Sequence, residues 1–197
     1  MNHADQYPTI VRWTRRLEDT TALDRPVRAV APTIRTAFGT GARGALLRGD
    51  WLGHALHPVL TDLVLGTWTS ASVLDVLGGP GSAEAARTLV GTGLVAVGPT
   101  AWTGWAEWSQ AGVREQRVGL VHAVTNGVAI AMYAGSWLAR RRGRQDVGAG
   151  LALAGAGVSG LGAYLGGHLA AARKVGSRDP AFDSTPSGQV SPPMSRS

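Results

Sequence analysis

The sequence predicts an all-α integral membrane protein, a four-helix bundle preceded by basic amphipathic helices. Three observations carry this. Four long apolar runs lie between residues 58 and 169, each close to the roughly 20 residues that a ~30 Å hydrocarbon core requires. Polar and basic residues gather in residues 1–50 and 174–197, while the middle is Ala, Val, Leu and Gly. The arginines flank the apolar runs instead of striping one folded face, as they do in membrane spans. A mean hydropathy of only +0.03 averages over this segregation.

The chain divides into a basic amphipathic region (1–50), a four-span membrane domain (51–172) and an expected disordered tail (173–197). The first region carries eight arginines. Between Tyr7 and Glu18, Ile10, Val11, Trp13 and Leu17 alternate with Arg12, Arg15 and Arg16. A second helix starts at Asp24, a suitable N-cap, with Pro26 in its first turn. Val27, Val30, Ile34 and Phe38 follow at helical spacing against Arg28 and Arg35. Such helices suit an anionic membrane surface, and equally a surface helix packed on protein. Pro32 is expected to break the second helix, and Gly39–Gly44 reads as a loop.

Span one is expected at 58–77, opened by Pro58 and stopped by Gly78-Gly79-Pro80-Gly81. Asp62 and Asp75 lie within it, Asp75 as a cap for the far end. Span two (86–106) has no charge from Thr88 to Ala106, a kink expected at Pro99, and Trp102, Trp105 and Trp108 as an interfacial belt around Glu107. Span three (118–138) places His122 and Asn126 one turn apart and closes on Arg140–Arg144. Span four (147–169) is rich in Gly and Ala, with Gly162 and Gly166 spaced for close helix packing.

The start has no apolar signal segment, so the first span is expected to direct insertion. The arginine distribution favours both termini on the cytoplasmic side of a bacterial cell membrane, against which the Arg140–Arg144 cluster counts. The absence of Cys excludes disulfides, thiolate metal sites and a cysteine nucleophile. The net charge of +6, from 18 Arg and one Lys, is not read as nucleic-acid binding because the arginines flank spans. No phosphate loop, hydrolase elbow or zinc-protease helix is present.

Span parity brings His54, His57, Asp62, Glu107, His122 and His168 to one membrane face, including four of the five histidines. Ionisable groups in a bilayer are costly, which makes these the candidate site. Asp62 is expected to pair with His57 or His122, and Glu107 to be solvated or paired with Arg114 or Arg117. Two facing histidines suit a haem iron, and three imidazoles with Asp62 or Glu107 suit a non-haem metal. His57, His122 and His168 are the metal candidates; haem b, a metal ion or a quinone is the expected cofactor. A chain carrying electrons across the bilayer on two haems would need histidine pairs near both faces, which this sequence lacks.

The stretch GDWLGHALHPVLTDLVLGTWTSASVLDVLGG resembles the opening of the bacterial membrane-protein family called domain of unknown function 2231, whose hallmark is Gly-His-x-x-His-Pro at the first span. REQRVGLVHAVTN and AYLGGHLAAARKVG are similar to its third and fourth spans, and TALDRPVRAV resembles versions found ahead of a Rieske iron–sulfur domain. The resemblance covers roughly residues 20–175, and the matching positions are His54, His57, Pro58, Asp62, His122, Gly167 and His168. It implies a membrane module without an assigned activity, and the Rieske-fused versions hint at electron transfer. Without Cys this chain cannot hold such a cluster, so a separate soluble iron–sulfur or other redox protein is the expected partner, besides the bilayer. The expected function is a redox-associated membrane module. The alternative is a non-enzymatic anchor or assembly subunit whose histidines form a polar clamp. A small proton-coupled carrier using Asp62 and His122 ranks third, for want of an inverted repeat. A homo-oligomer stays open.

Overall fold

The computed structural model describes residues 7–176, which are helical and contain no strand. Three short helices come first: α1 (Thr9–Asp19), α2 (Asp24–Ile34) and α3 (Gly41–Arg48). Four long ones follow: α4 (His57–Leu77), α5 (Ala83–Trp108), α6 (Val113–Arg141) and α7 (Gln145–Gly167), the last prolonged by a wider turn over His168–Ala172. The ends of the long helices follow ordinary rules. Pro58 sits in the first turn of α4. Glu84, Glu115 and Asp146 occupy the first turns of α5, α6 and α7, and Arg140 and Arg141 the last turn of α6, each complementing the helix dipole.

Each long helix packs on its neighbour in sequence, and α7 returns to α4. The shared core is small: Val64, Trp68 and Ala71 of α4, Ala86, Val90 and Ala96 of α5, Tyr133 of α6 and Ala152 of α7. Trp68 stacks on Tyr133 with ring centroids 3.8 Å apart, and its indole N–H donates to the Val90 carbonyl at 3.3 Å. Most of the apolar surface lies outside this core. Val59, Leu63, Val73, Val76, Val124, Val128, Leu153 and Leu161 point outward, and Val95 is 81% exposed. An apolar outer face is the arrangement of helices solvated by lipid.

Three helical stretches are long and apolar enough to cross a membrane: His57–Leu77, Val113–Arg141 and Gln145–Ala172. The expected second span, α5, is 26 residues long but falls short on hydropathy, because Gly, Thr, Trp and Pro99 dilute its Val and Leu. It runs through Pro99 unbroken.

Several details differ from the sequence expectations. Asp75 does not cap α4. It is buried and accepts two hydrogen bonds from the guanidinium of Arg140, Nη1 to Oδ1 at 2.9 Å and Nη2 to Oδ2. Arg140 Nε donates to Ser136 Oγ (3.2 Å), which donates to the Gly148 carbonyl (2.6 Å). One polar chain therefore ties α4, α6 and α7 together. Pro32 does not end α2, which continues to Ile34 and then widens over Arg35–Gly39. Gly41 to Gly44 belong to a helix, α3, not to a loop. Trp108 is a core residue whose indole donates to the Gln116 carbonyl (2.9 Å), while Trp102 faces outward. Of the expected tail, residues 177–197 lie outside the described residues.

The first two helices dock on the long ones through charge pairs. Asp24 accepts from Arg117 Nε at 2.6 Å, and Asp19 pairs with Arg114 at 2.9 Å. The hydrogen bond from Arg117 holds the Asp24 carboxyl below its usual range. A depressed carboxylate favours the docked state above its free pKa of 3.8, and this contribution is lost as pH falls through the docked value. The protection of residues 9–34 from hydrogen exchange, taken relative to the intrinsic rate at each pH, is therefore expected to fall on acidification below about pH 4, and Asp24→Asn to weaken that dependence.

Truncating one partner of a buried ion pair leaves the other uncompensated. Asp75→Leu is expected to destabilise the protein by about 3–5 kcal/mol, and Asp75→Leu with Arg140→Met by much less. Unfolding of the two variants by denaturant in detergent micelles checks this.

Candidate functional site

At the opposite end of α4 from Asp75, the chain places its first helical residue, His57, against α5. The imidazole Nδ1–H donates to the Thr100 carbonyl at 2.9 Å. Carbonyl oxygens only accept, so this bond fixes the proton on Nδ1 and leaves Nε2 as a lone-pair acceptor. His122, on α6, repeats the arrangement toward α7. Its Nδ1–H donates to the Gly162 carbonyl at 2.9 Å, and its Nε2 accepts from the Asn126 amide at 3.0 Å. Each histidine thus joins two helices through a main-chain acceptor.

The two rings come within 6.4 Å of each other, edge to face. Glycine opposite each ring makes room. A Cβ at Gly104 would lie 2.8 Å from His57 Cε1, and one at Gly166 would lie 3.0 Å from His122 Cε1. These positions admit no larger side chain unless the imidazole moves.

His57 and His122 line one cavity of about 290 Å³, near the lower end of ligand-pocket volumes. Its walls are mostly apolar, with Leu65, Trp68, Val97, Trp105 and Ile130 among them. Asn126, Thr100, Glu107 and Glu115 supply polar edges, and no Lys or Arg is among the lining residues. Glu107 is buried at this end of α5.

Of the six residues expected at the site, the structure brings together His57, His122 and Glu107. His168 lies apart from the cavity lining, its Nε2 donating to Glu18 Oε1 of α1 at 2.7 Å. Glu18 also accepts from Arg173 (2.8 Å). His54 is exposed, its Nδ1 beside the Ala55 carbonyl (3.2 Å). Asp62 lies on the outer face of α4 and pairs with neither His57 nor His122. The described residues hold no group of three or more His, Asp or Glu side chains arranged for a metal ion, so His57, His122 and His168 do not form one.

Thr100, Gly104, Gly162 and Gly166 also build this site, and the sequence reading did not assign them to it. Asn126 carried a readable signal, its spacing of four from His122 on one helix. The carbonyl acceptors and glycine seats carried none, because each works through a facing helix.

The tautomers can be checked directly. Long-range nitrogen–proton spectra of ¹⁵N-histidine-labelled protein at neutral pH are expected to show His57 and His122 protonated at Nδ1. Protonation of either neutral ring at Nε2 would contradict the hydrogen bonds to Thr100 and Gly162.

No curated protein and no solved structure matches this chain. The family described as predicted membrane protein, domain of unknown function 2231, matches over residues 53–179, which takes in all four long helices and the cavity and leaves α1 to α3 outside. With that match spanning more than half of its length, the chain belongs to this family of membrane proteins.

Proposed function

We propose that the chain is a redox-associated membrane module whose His57–His122 cavity takes the head group of a quinol. The observation that carries this is the free Nε2 of His57, held in an apolar cavity by the bond from Nδ1–H to Thr100. A quinol hydroxyl is the matching donor, and its apolar tail would run along the Leu65, Val97 and Ile130 wall. A lining without Lys or Arg and with Glu107 and Glu115 favours an uncharged head group. On oxidation the quinol gives two electrons to an external acceptor, for which a soluble iron–sulfur or other redox protein is our candidate. It also gives up two protons to water, the first by way of His57 Nε2.

In this reading the protein is a four-helix bundle with α5 as a fourth span, supported by its uncharged stretch from Thr88 to Ala106 and its packing between α4 and α6. The termini are placed on the cytoplasmic side. The excess of arginines in residues 1–50 supports this placement, and the Arg140–Arg144 cluster opposes it.

A second reading, haem b, is favoured by the ring spacing. Two imidazoles on opposite sides of one iron would have centroids roughly 6 Å apart, given metal–nitrogen bonds of about 2.0 Å. The observed separation is 6.4 Å. It ranks second because Asn126 already occupies His122 Nε2 and the cavity lining offers no cation to the haem propionates.

Quinone extraction and absorption spectra of the detergent-purified protein, oxidised and dithionite-reduced, test both. Co-purified quinone is expected without a Soret band, falling about tenfold in His57→Ala, the loss of a hydrogen bond worth about 1.4 kcal/mol. A Soret band lost in His57→Ala and His122→Ala would select haem. Neither quinone nor colour would leave the histidines as a polar clamp in a membrane anchor.

A further inference from the structure

The helices that precede the family match sort their charges by face. Their carboxylates are paired with cations of the long helices and of the segment after α7: buried Glu18 with His168 and Arg173, Asp24 with Arg117, and exposed Asp19 with exposed Arg114. Their arginines turn outward. Arg15, Arg16, Arg25, Arg28 and Arg35 are exposed, and Arg16, Arg25, Arg28 and Arg35 have no salt bridge among the described residues. On α1 an apolar stripe lies beside these cations. Ile10 and Trp13 are 47% and 40% exposed, and half-buried Leu17 continues them at helical spacing. Tyr7, also exposed, lies under the Arg15 guanidinium at 5.2 Å.

The position of α1 is fixed. Thr14 and Tyr164 of α7 share a hydrogen bond of 2.8 Å, and the Glu18 main-chain carbonyl accepts from Arg117 Nη1 at 2.7 Å. These bonds hold α1 beside the start of α6 and the end of α7, where those helices pass from apolar to polar sequence. At 11 residues α1 is too short to span a bilayer.

We propose that α1 and α2 bind anionic phospholipid head groups of the bilayer that the long helices occupy. Ile10, Trp13 and Leu17 enter the head-group boundary, and Arg15, Arg16, Arg25, Arg28 and Arg35 meet lipid phosphates. Pairing of Glu18, Asp19 and Asp24 with Arg173, Arg114 and Arg117 leaves Arg16, Arg25, Arg28 and Arg35 as an excess of positive charge on the outer surface. A nucleic acid would complement the arginines but leave the Ile10–Trp13 stripe in water. A lipid interface satisfies both.

The absence of cysteine permits a single label. A nitroxide on Ile10→Cys in the full-length protein is read in nanodiscs of phosphatidylcholine, with and without phosphatidylglycerol. In anionic discs the label is expected to be more accessible to oxygen than to a water-soluble nickel chelate, and a label on Arg16→Cys the reverse. Each of Arg25→Gln and Arg35→Gln, neither of which takes part in a docking pair, is expected to lower the ratio of immersed to free label about fivefold. Equal immersion in neutral discs would overturn anionic recognition. Exposure to nickel in both kinds of disc would overturn the interfacial placement and indicate a protein cover for this surface.

Discussion

Burying Asp75 against Arg140 constrains much of the arrangement of the long helices. With side-chain exposures of 5% and 1%, the two charges are held away from water, and both terminal guanidinium nitrogens are used on the two carboxylate oxygens. A pair so enclosed is stable only if its remaining donors find acceptors. Ser136 and the Gly148 carbonyl complete the chain, and so fix α7 against α6 at the end where α4 finishes. At the other end His57 and His122 do the same work without ionic charge, joining α4 to α5 and α6 to α7 through main-chain carbonyls. Between these polar ends lies a thin core in which Trp68 stacked on Tyr133 is the main bulk.

The two ends differ in what they leave over. Around Arg140 the polar side chains are consumed by one another. His57 lines a cavity, and its Nε2 is not used in the bond to Thr100. Packing with small residues on α5 and α7, Gly104 and Gly166 beneath the rings, keeps that space open. A structural clamp and a binding site are compatible here, because the clamp uses Nδ1 and the proposed ligand uses Nε2.

Segregation of apolar from charged residues made the long helices legible in the sequence, and α4, α6 and α7 are long and apolar enough to cross a membrane. Helix parity, which needs only the order and direction of the elements, led to the expectation of one shared face, and His57, Glu107 and His122 line one cavity. It could not separate residues at the same depth by the face they occupy. His168 reaches that end of α7 but turns toward Glu18, and Asp62 turns outward on α4. Pairs such as Asp75 with Arg140 and Glu18 with Arg173, 65 and 155 residues apart, depend on packing that local pattern does not encode. Pro32 misled for a local reason. Its ring removes one main-chain donor within α2, yet the helix continues to Ile34 before the backbone widens over Arg35–Gly39.

The most direct test of the central claim is to add a short-chain benzoquinol to the ¹⁵N-histidine-labelled protein in nanodiscs and follow the ring nitrogens. A site at the shared cavity predicts that His57 Nε2 moves most, that His122 responds with it, and that His168, held by Glu18 outside the cavity lining, stays in place. Movement of His168 alone, or of no histidine at saturating quinol, would contradict it.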